Sequence, residues 1–521
     1  MSLGRAAGVS LVGLNGHIID VEADLGGGLP AFVLLGLPDA SLIEARDRIR
    51  SAARNSGVPL CPRRITVNLI PASLPKRGSS FDLAIVVAAL AAAGEIENPP
   101  DVVYVAELGL DGTLRPVAGV LPSVMAAVRA GRPRVVVAEA NAAEARLVPG
   151  AHISAYRHLG EVLSDYGCLD TVVPPRAPAQ VRTPTAAPGT TAELPGAATE
   201  RADLCDVLGQ PLARFALEVA AAGGHHLLLV GPPGAGKTML AERLPGLLPD
   251  LDPVEGMEAT AIHSLHRGTA GMDQLLLRPP YESPHHSASM VALMGGGGGL
   301  PRPGAASRAH RGVLFLDEAP EFSSKSLDSL RQPLESGQIT LHRAGGIATY
   351  PARFQLVLAA NPCPCGQNTG KALDCRCTSM QRRRYFDRLS GPLLDRIDVQ
   401  IEVPRVNSVH LGTGRGEETS ATVAGRVASA RQAQRSRLRA LGLRRNADLP
   451  GTILRHELAL PGHVTATADR QVERGLLTAR GYHRVLRLAW TISDLGGQEC
   501  PRQGDIEVAL QLRHHARGGR P

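Results

Sequence analysis

Residues 226–238 read HLLLVGPPGAGKT. The apolar run Leu227–Val230 has the length and composition of a strand buried on both faces of a parallel sheet. It leads directly into Gly231, Pro232, Pro233, Gly234, Ala235, Gly236, Lys237 and Thr238, which fits G-x-x-x-x-G-K-[ST]. Glycines let backbone N–H groups close around phosphate oxygens, and the helix that follows offers its positive end. Lys237 is then placed for the β- and γ-phosphates of a nucleotide, and the Thr238 hydroxyl for Mg²⁺. A Gly-rich turn that merely carries a lysine would not need a buried strand before it and the helical MLAERL after it.

The surroundings are large. A chain of 521 residues exceeds one hydrophobic core. Hydrophobic residues make up 44% but aromatics only 3%, so the cores are built mainly of Ala, Val and Leu. No apolar run reaches the roughly 18 residues of a membrane span. The opening MSLGRAAGVSLVG lacks the apolar core of a signal peptide, so a cytoplasmic location is expected. Eight cysteines in a chain this long do not form a disulfide scaffold. A net charge of +7 is compatible with an anionic partner such as nucleic acid and does not require one.

Residues 1–170 alternate strands and helices. RITVNLI (64–70) reads as a strand, Phe81–Ala93 as an apolar helix, and Asp111-Gly112 as the turn of a hairpin. The layout resembles the Lon-protease C-terminal fold, itself like the second domain of ribosomal protein S5. Within PKRGSSFDLAIVVAAL, Ser80 falls near the nucleophile position of Lon-like proteases. Those enzymes need a lysine to deprotonate the serine, and the corresponding helix VLPSVMAAV contains none. Proteolysis is therefore not expected. Residues 171–203 are rich in Pro, Ala and Thr and read as a linker that cannot bury enough surface to order itself.

An ATPase module is expected over 204–405. Val313–Leu316 is a second buried strand, and it ends in Asp317 and Glu318, a Walker B pattern. Asp317 should hold Mg²⁺ through its water shell, and Glu318 should orient and deprotonate the attacking water. A third strand, FQLVLAA, ends at Asn361, whose amide would position that water as sensor 1 does in AAA+ proteins. Between the Walker motifs, glycines 295–299 exclude a helix interior and point to an inserted loop. Residues 338–344 read as one arm of a hairpin. In the Mg-chelatase and MCM branch of AAA+ ATPases such inserts face a ring's central pore. Arg302, Arg308, Arg311 and Arg343 would bring positive charge there, or would be ordinary solvated arginines.

Four cysteines, Cys363, Cys365, Cys375 and Cys377, crowd the stretch after Asn361. Two C-x-C pairs suit a closed, structural four-thiolate zinc site; the alternative is a reduced cysteine-rich loop. Arg396, in GPLLDRID, lies where multimeric AAA+ rings keep an arginine that reaches a neighbour's γ-phosphate; the alternative is an internal pair with Asp395 or Asp398. Residues 406–521 are expected to be a helical domain, opening with a basic helix whose arginines face nucleic acid or solvent. By family position Arg480, rather than Arg484, is the sensor 2 arginine for the nucleotide of its own subunit.

Taken together, GPPGAGKT, SPHHSASMVALMGGG, RGVLFLDEAPEF, LRQPLESGQIT, NPCPCG, GPLLDRID and ARGYHRVLRLAWTISDL make the chain similar to the Mg-chelatase-like AAA+ ATPases of the YifB/ComM family. The resemblance covers nearly the whole chain, and departs from the family only at Ser80 and in a longer linker. It implies an α/β multidomain fold: a Lon-like α+β domain, a P-loop ATPase with a parallel sheet, and a C-terminal helical domain. It further implies ATP and Mg²⁺ as ligands, a ring of probably six copies, and single-stranded or branched DNA as partner. The implied activity is an ATP-driven DNA motor promoting branch migration in natural transformation. Two other classes stay open: a chelatase subunit driving metal insertion into a porphyrin, and a competence scaffold without motor activity.

Overall fold

The computed structural model describes residues 3–514 except 37–39, 75, 77, 98–99, 176–201, 269–270, 298–300, 344–345, 369–374 and 406–416. Most of the expected linker, part of the glycine run, the side chain of Arg343 and the start of the C-terminal segment fall outside the described residues.

The N-terminal region is a seven-stranded mixed sheet. Its order is Ala31–Leu35, Arg64–Ile70, Asn15–Gly26, Gly4–Val12, Val102–Val105, Arg134–Ala138, His152–Tyr156. The second to fourth of these are antiparallel neighbours and the remaining pairings are parallel. In Asn15–Gly26 the alternation puts Ile19, Val21 and Ala23 in the core. Helix Asp82–Ala93 is apolar nearly all round because it is buried nearly all round, against the sheet and helix Ala40–Asn55. The Asp111-Gly112 hairpin forms, with arms of only two residues, Glu107–Leu108 and Leu114–Arg115.

The central region is a five-stranded, fully parallel sheet in the order Tyr281–Glu282, Val313–Leu316, Gln355–Ala360, Leu227–Val230, Val399–Glu402. Leu227–Val230 and Val313–Leu316 are apolar throughout because the two faces of each enter two different cores. Leu227, Leu229, Phe315, Val357 and Ile401 share one cluster with helix Pro211–Gly223 and the C-terminal helices. Leu228, Val230, Leu314, Leu316 and Leu358 share the other with Leu293, Phe322 and Ile397. The C-terminal helices Ser420–Leu438, Ala479–Leu495 and Gln503–His514 thus complete the core of the P-loop sheet through Val427, Val485, Trp490 and Leu512.

The basic helix Ser420–Leu438 is less available to nucleic acid than its composition implies. Arg426 pairs with Glu218 and Glu418, and Arg431 donates to the Ala221 carbonyl. Arg437 pairs with Asp494 at 2.6 Å and lies 4.4 Å from the Trp490 ring centroid. The arginines expected on the inserts show the same pattern: Arg308 pairs with Glu282, and Arg311 with Glu255 and Glu258. Arg302 remains exposed.

The N-terminal sheet is seated on the ATPase inserts. Met257 and Ala261 of helix Pro253–Arg267 join the cluster of Val9, Leu121, Val124 and Val135. Gly13, with φ +66°, lies against Thr349 of the hairpin Gln338–Arg343/Gly346–Pro351, so a Cβ there would meet the Thr349 carbonyl at 2.8 Å. Among the described residues no helix is long and apolar enough to cross a membrane.

Candidate nucleotide site

Three adjacent parallel strands end at one edge of the central sheet, and each delivers polar groups as its apolar run stops. Val230 pairs with Ala360, and Leu316 with Leu358, so Gly231, Asp317 and Asn361 emerge side by side. Crevices beyond the carboxyl ends of parallel strands are where α/β folds bind ligands. Gly234 and Gly236, at φ +76° and +87°, shape the turn into helix Lys237–Leu247. The resulting cavity, of about 400 Å³, is lined by residues 233–239 together with Asp317, Glu318, Ala360 and Asn361. A larger recess of about 850 Å³ among the C-terminal helices, around Pro461 and Cys500, has neither a phosphate-type turn nor a carboxylate pair; size does not identify the site.

Lys237 is buried, and its ammonium donates to the carbonyls of Gly231 at 2.7 Å and Pro232 at 3.0 Å and to Asn361 Oδ1 at 3.1 Å. Burial lowers its pKa, and Asp317 and Glu318 oppose that shift. Thr238 Oγ1 donates to Asp317 Oδ2 at 2.7 Å, and Asp317 Oδ1 accepts the Glu318 N–H at 2.8 Å. A hydroxyl and a carboxylate meeting beside an ammonium form a donor set that fits Mg²⁺ with a polyphosphate. Glu318 adopts φ +49°, a conformation rare outside glycine and common where function over-determines the backbone. Its carboxylate lies 3.2 Å from His286 Nδ1.

His286 escaped the sequence reading. It belongs to SPHHSASM, and the only signal was a pair of histidines in the segment between the Walker strands. Tyr385 escaped too. It is buried, its pKa is raised by that burial, and it is hydrogen-bonded to the backbone of Asn361.

Arg396 follows the short helix Gly391–Leu394 and does not line the cavity of its own chain. It pairs with Glu335 and donates to the Pro392 carbonyl at 2.5 Å, not with Asp395 or Asp398. Asp398 is taken instead by Arg484 and lies 3.5 Å from His225. Arg480, Arg484 and Arg331 are close enough to depress the pKa of Arg396, after the larger effect of its burial. Arg480 is exposed within this arginine group and outside the cavity lining.

The sulfurs of Cys363, Cys365, Cys375 and Cys377 all lie within 4.8 Å of one another, with Cys363 buried. At the Lon-like position, Ser80 sits in the single turn Ser79–Phe81. Ser79 donates to Glu107, and the buried Lys76 donates to the Pro71 carbonyl. Helix Val120–Arg129 carries no lysine.

Sequence models of "Magnesium chelatase, subunit ChlI" match residues 203–411, of "Subunit ChlI of Mg-chelatase" residues 21–141, and of its C-terminal part residues 417–513. The protein YifB of Salmonella typhimurium is 43% identical over 98% of this chain and 97% of its own. The competence protein ComM of Haemophilus influenzae is 40% identical over 98% of each chain. A Lon protease of Mycolicibacterium smegmatis is 29% identical over 159 residues, 29% of this chain and 20% of its own, in keeping with a Lon-like N-terminal domain. Full-length identity of this order places the protein in the YifB/ComM family of Mg-chelatase-like ATPases.

Proposed function

We propose that this ATPase is a ring-forming, ATP-driven DNA motor acting on branched recombination intermediates. The observation that carries the ATPase part is the convergence of Lys237, Thr238, Asp317, Glu318 and Asn361 at three neighbouring strand ends. In this reading residues 231–236 wrap the phosphates with backbone N–H groups, and Lys237 exchanges its carbonyl partners for β- and γ-phosphate oxygens. Thr238 and Asp317 would hold Mg²⁺, which would supply charge neutralisation for the phosphates. Glu318 takes the proton of the attacking water, and Asn361 orients that water. His286 holds the Glu318 carboxylate in register. Arg396, outside its own cavity, is presented to a neighbour's γ-phosphate once Glu335 releases it, with Arg480 beside it. That arrangement requires an oligomer, for which the reading takes six subunits in the cytoplasm.

The DNA part is supported by the similarity to ComM, a competence protein. The division into a Lon-like domain (1–170), linker (171–203), ATPase (204–405) and helical lid (406–521) belongs to the same reading. The test is ATP turnover by the purified chain with single-stranded, duplex and forked DNA. Stimulation at least severalfold, strongest with forked DNA, is expected. The match to magnesium-chelatase sequence models favours a second reading, a chelatase-type subunit. Its turnover would be indifferent to DNA and would respond to partner subunits of a porphyrin-metalating complex.

A further inference from the structure

The cysteine cluster is the one group of soft ligands gathered among the described residues, and the nucleotide chemistry does not use it. Its spacing is that of a metal site. A tetrahedral zinc with Zn–S bonds of about 2.3 Å separates its sulfurs by about 3.8 Å. Cys363 Sγ lies 3.8 Å from Cys375 Sγ, Cys365 Sγ lies 3.9 Å from Cys375 Sγ, and Cys363 and Cys365 are 3.3 Å apart. A disulfide would need about 2.05 Å, so none of these pairs is one. Four thiolates from two C-x-C pairs close the coordination shell, which leaves no open position for a water-derived nucleophile.

The position of the cluster matters as much as its geometry. Cys363 is two residues beyond Asn361, the strand end that touches Lys237. Gly366, at φ +73°, lies directly on the P-loop: a Cβ there would meet Pro233 Cδ at 2.5 Å and Cγ at 2.7 Å. On the other side, Arg405 donates to Gln367 at 3.2 Å, and Arg382 to Asn368 at 2.8 Å. The cysteine knuckle therefore touches the phosphate loop and is tied by side chains to the segment after the neighbouring strand Val399–Glu402.

We propose that Cys363, Cys365, Cys375 and Cys377 hold one structural zinc ion, and that this metal knuckle braces the phosphate loop through Gly366 and Pro233. The bracing half rests on the ATPase reading; the metal site does not. On loading, Zn²⁺ forms four Zn–S bonds, the four thiols release four protons, and the site carries a net charge of −2. No electrons move. Without the metal, the strand end carrying Asn361 and the loop behind Pro233 lose their common anchor. Nucleotide affinity then falls although no phosphate ligand has been touched.

The test uses the full chain, reduced and purified without chelator. Elemental analysis should give about one zinc per chain, and the metal-free protein titrated with Co²⁺ should develop the thiolate-to-cobalt absorption of a four-sulfur tetrahedral site, which Zn²⁺ then displaces. Cys365→Ser and Cys377→Ser should each lose tight binding. A fluorescent ATP analogue should bind at least about fivefold more weakly to metal-free protein and recover on adding zinc back. Because cysteine variants can fail by misfolding, Gly366→Ala gives an independent arm. It should keep its zinc and still bind the analogue several times more weakly, since its methyl group collides with the Pro233 ring. Less than about a tenth of an equivalent of zinc, with no cobalt spectrum, overturns the site. Zinc present, with affinity unchanged both on its removal and in Gly366→Ala, overturns the brace. A zinc-loaded wild-type chain that binds no nucleotide overturns the ATPase reading, and the brace with it, while the cobalt spectrum still upholds the metal site.

Discussion

Two regions of this molecule use the same local device for different ends. In the N-terminal domain, Gly78 leads into Ser79, Ser80 and helix Asp82–Ala93. In the central domain, Gly236 leads into Lys237, Thr238 and helix Lys237–Leu247. Both place a lysine, hydroxyls and carboxylates near the start of a helix packed on a sheet. In the first, the groups use each other up. Asp82 is fully buried against Arg48, Ser79 is bonded to Glu107, and Lys76 is spent on the Pro71 carbonyl. In the second, they surround a cavity of about 400 Å³ and hold provisional partners, two backbone carbonyls and an amide, that phosphate oxygens can replace. Reactive residue types become a site when space is left in front of them; where it is filled, they become structure.

The contrast is sharpest if the central groups are removed. Lys237→Ala should abolish measurable ATP binding and turnover, because the phosphate charge loses a buried counter-ion; wild-type affinity in a nucleotide-binding titration would break the assignment. Glu318→Gln should still bind ATP but turn it over roughly 100-fold more slowly, since only the proton acceptor is lost. Rapid release of ADP from that variant would show that Glu318 is not the base.

The corresponding experiment in the N-terminal domain should register as stability. Arg48→Ala leaves Asp82, whose side chain is 0% exposed, without its cation. Removing one partner of a buried pair costs about 3 kcal/mol. A lower denaturant midpoint for the N-terminal domain, with ATP turnover per folded chain unchanged, is the expected outcome. An unshifted midpoint would mean that Asp82 finds another way to discharge itself.

The strands and the phosphate loop were legible because their signals are local. Leu227–Val230 and Val313–Leu316 are short apolar runs ending in glycine or acid, and spacing alone identifies them. What escaped depends on residues far apart in the chain. Arg308 reads as a pore charge until Glu282 comes to within 2.7 Å of it, and Arg311 until Glu255 and Glu258 come to 3.0 and 3.2 Å. Arg426 and Arg431 read as a basic face until helix Pro211–Gly223 supplies Glu218 and a free carbonyl. The roles of His286 and Gly366 cannot be read locally, because their partners Glu318 and Pro233 are tens to more than a hundred residues away. Charge in a sequence states a demand for a partner; only the fold shows whether that partner is protein or ligand.

A subtler probe lies on helix Pro253–Arg267, which joins the two regions. His263 is buried there, bonded to the Arg308 carbonyl at 3.0 Å, and burial lowers its pKa to about 4. The unfolded chain titrates near the ordinary histidine value of about 6.5. Below that value the unfolded state binds the proton first, so folding stability is intact above about pH 6.5 and falls as pH drops toward 4. By pH 5 the loss is about 2 kcal/mol from this residue. His263→Gln keeps a donor for the carbonyl and should flatten this slope in pH-dependent denaturant midpoints. An unchanged slope would place the acid sensitivity elsewhere.

The smallest expected effect is the most direct test of the comparison. Ser80 stands near the nucleophile position of Lon-like proteases, in the turn before helix Asp82–Ala93. A serine attacks a carbonyl only when a base takes its proton. Helix Val120–Arg129 offers no lysine, and the amine of Lys76, four residues upstream, is donated to the Pro71 carbonyl with a pKa lowered by burial. Ser80→Ala should therefore leave peptide cleavage at the background of the buffer, ATP turnover at the wild-type value, and stability within about 0.5 kcal/mol, as for a substitution away from core, caps and networks. Peptidase activity in the wild-type chain that disappears in Ser80→Ala would show that the N-terminal groups do face a substrate, and the contrast between the two helix starts would fall.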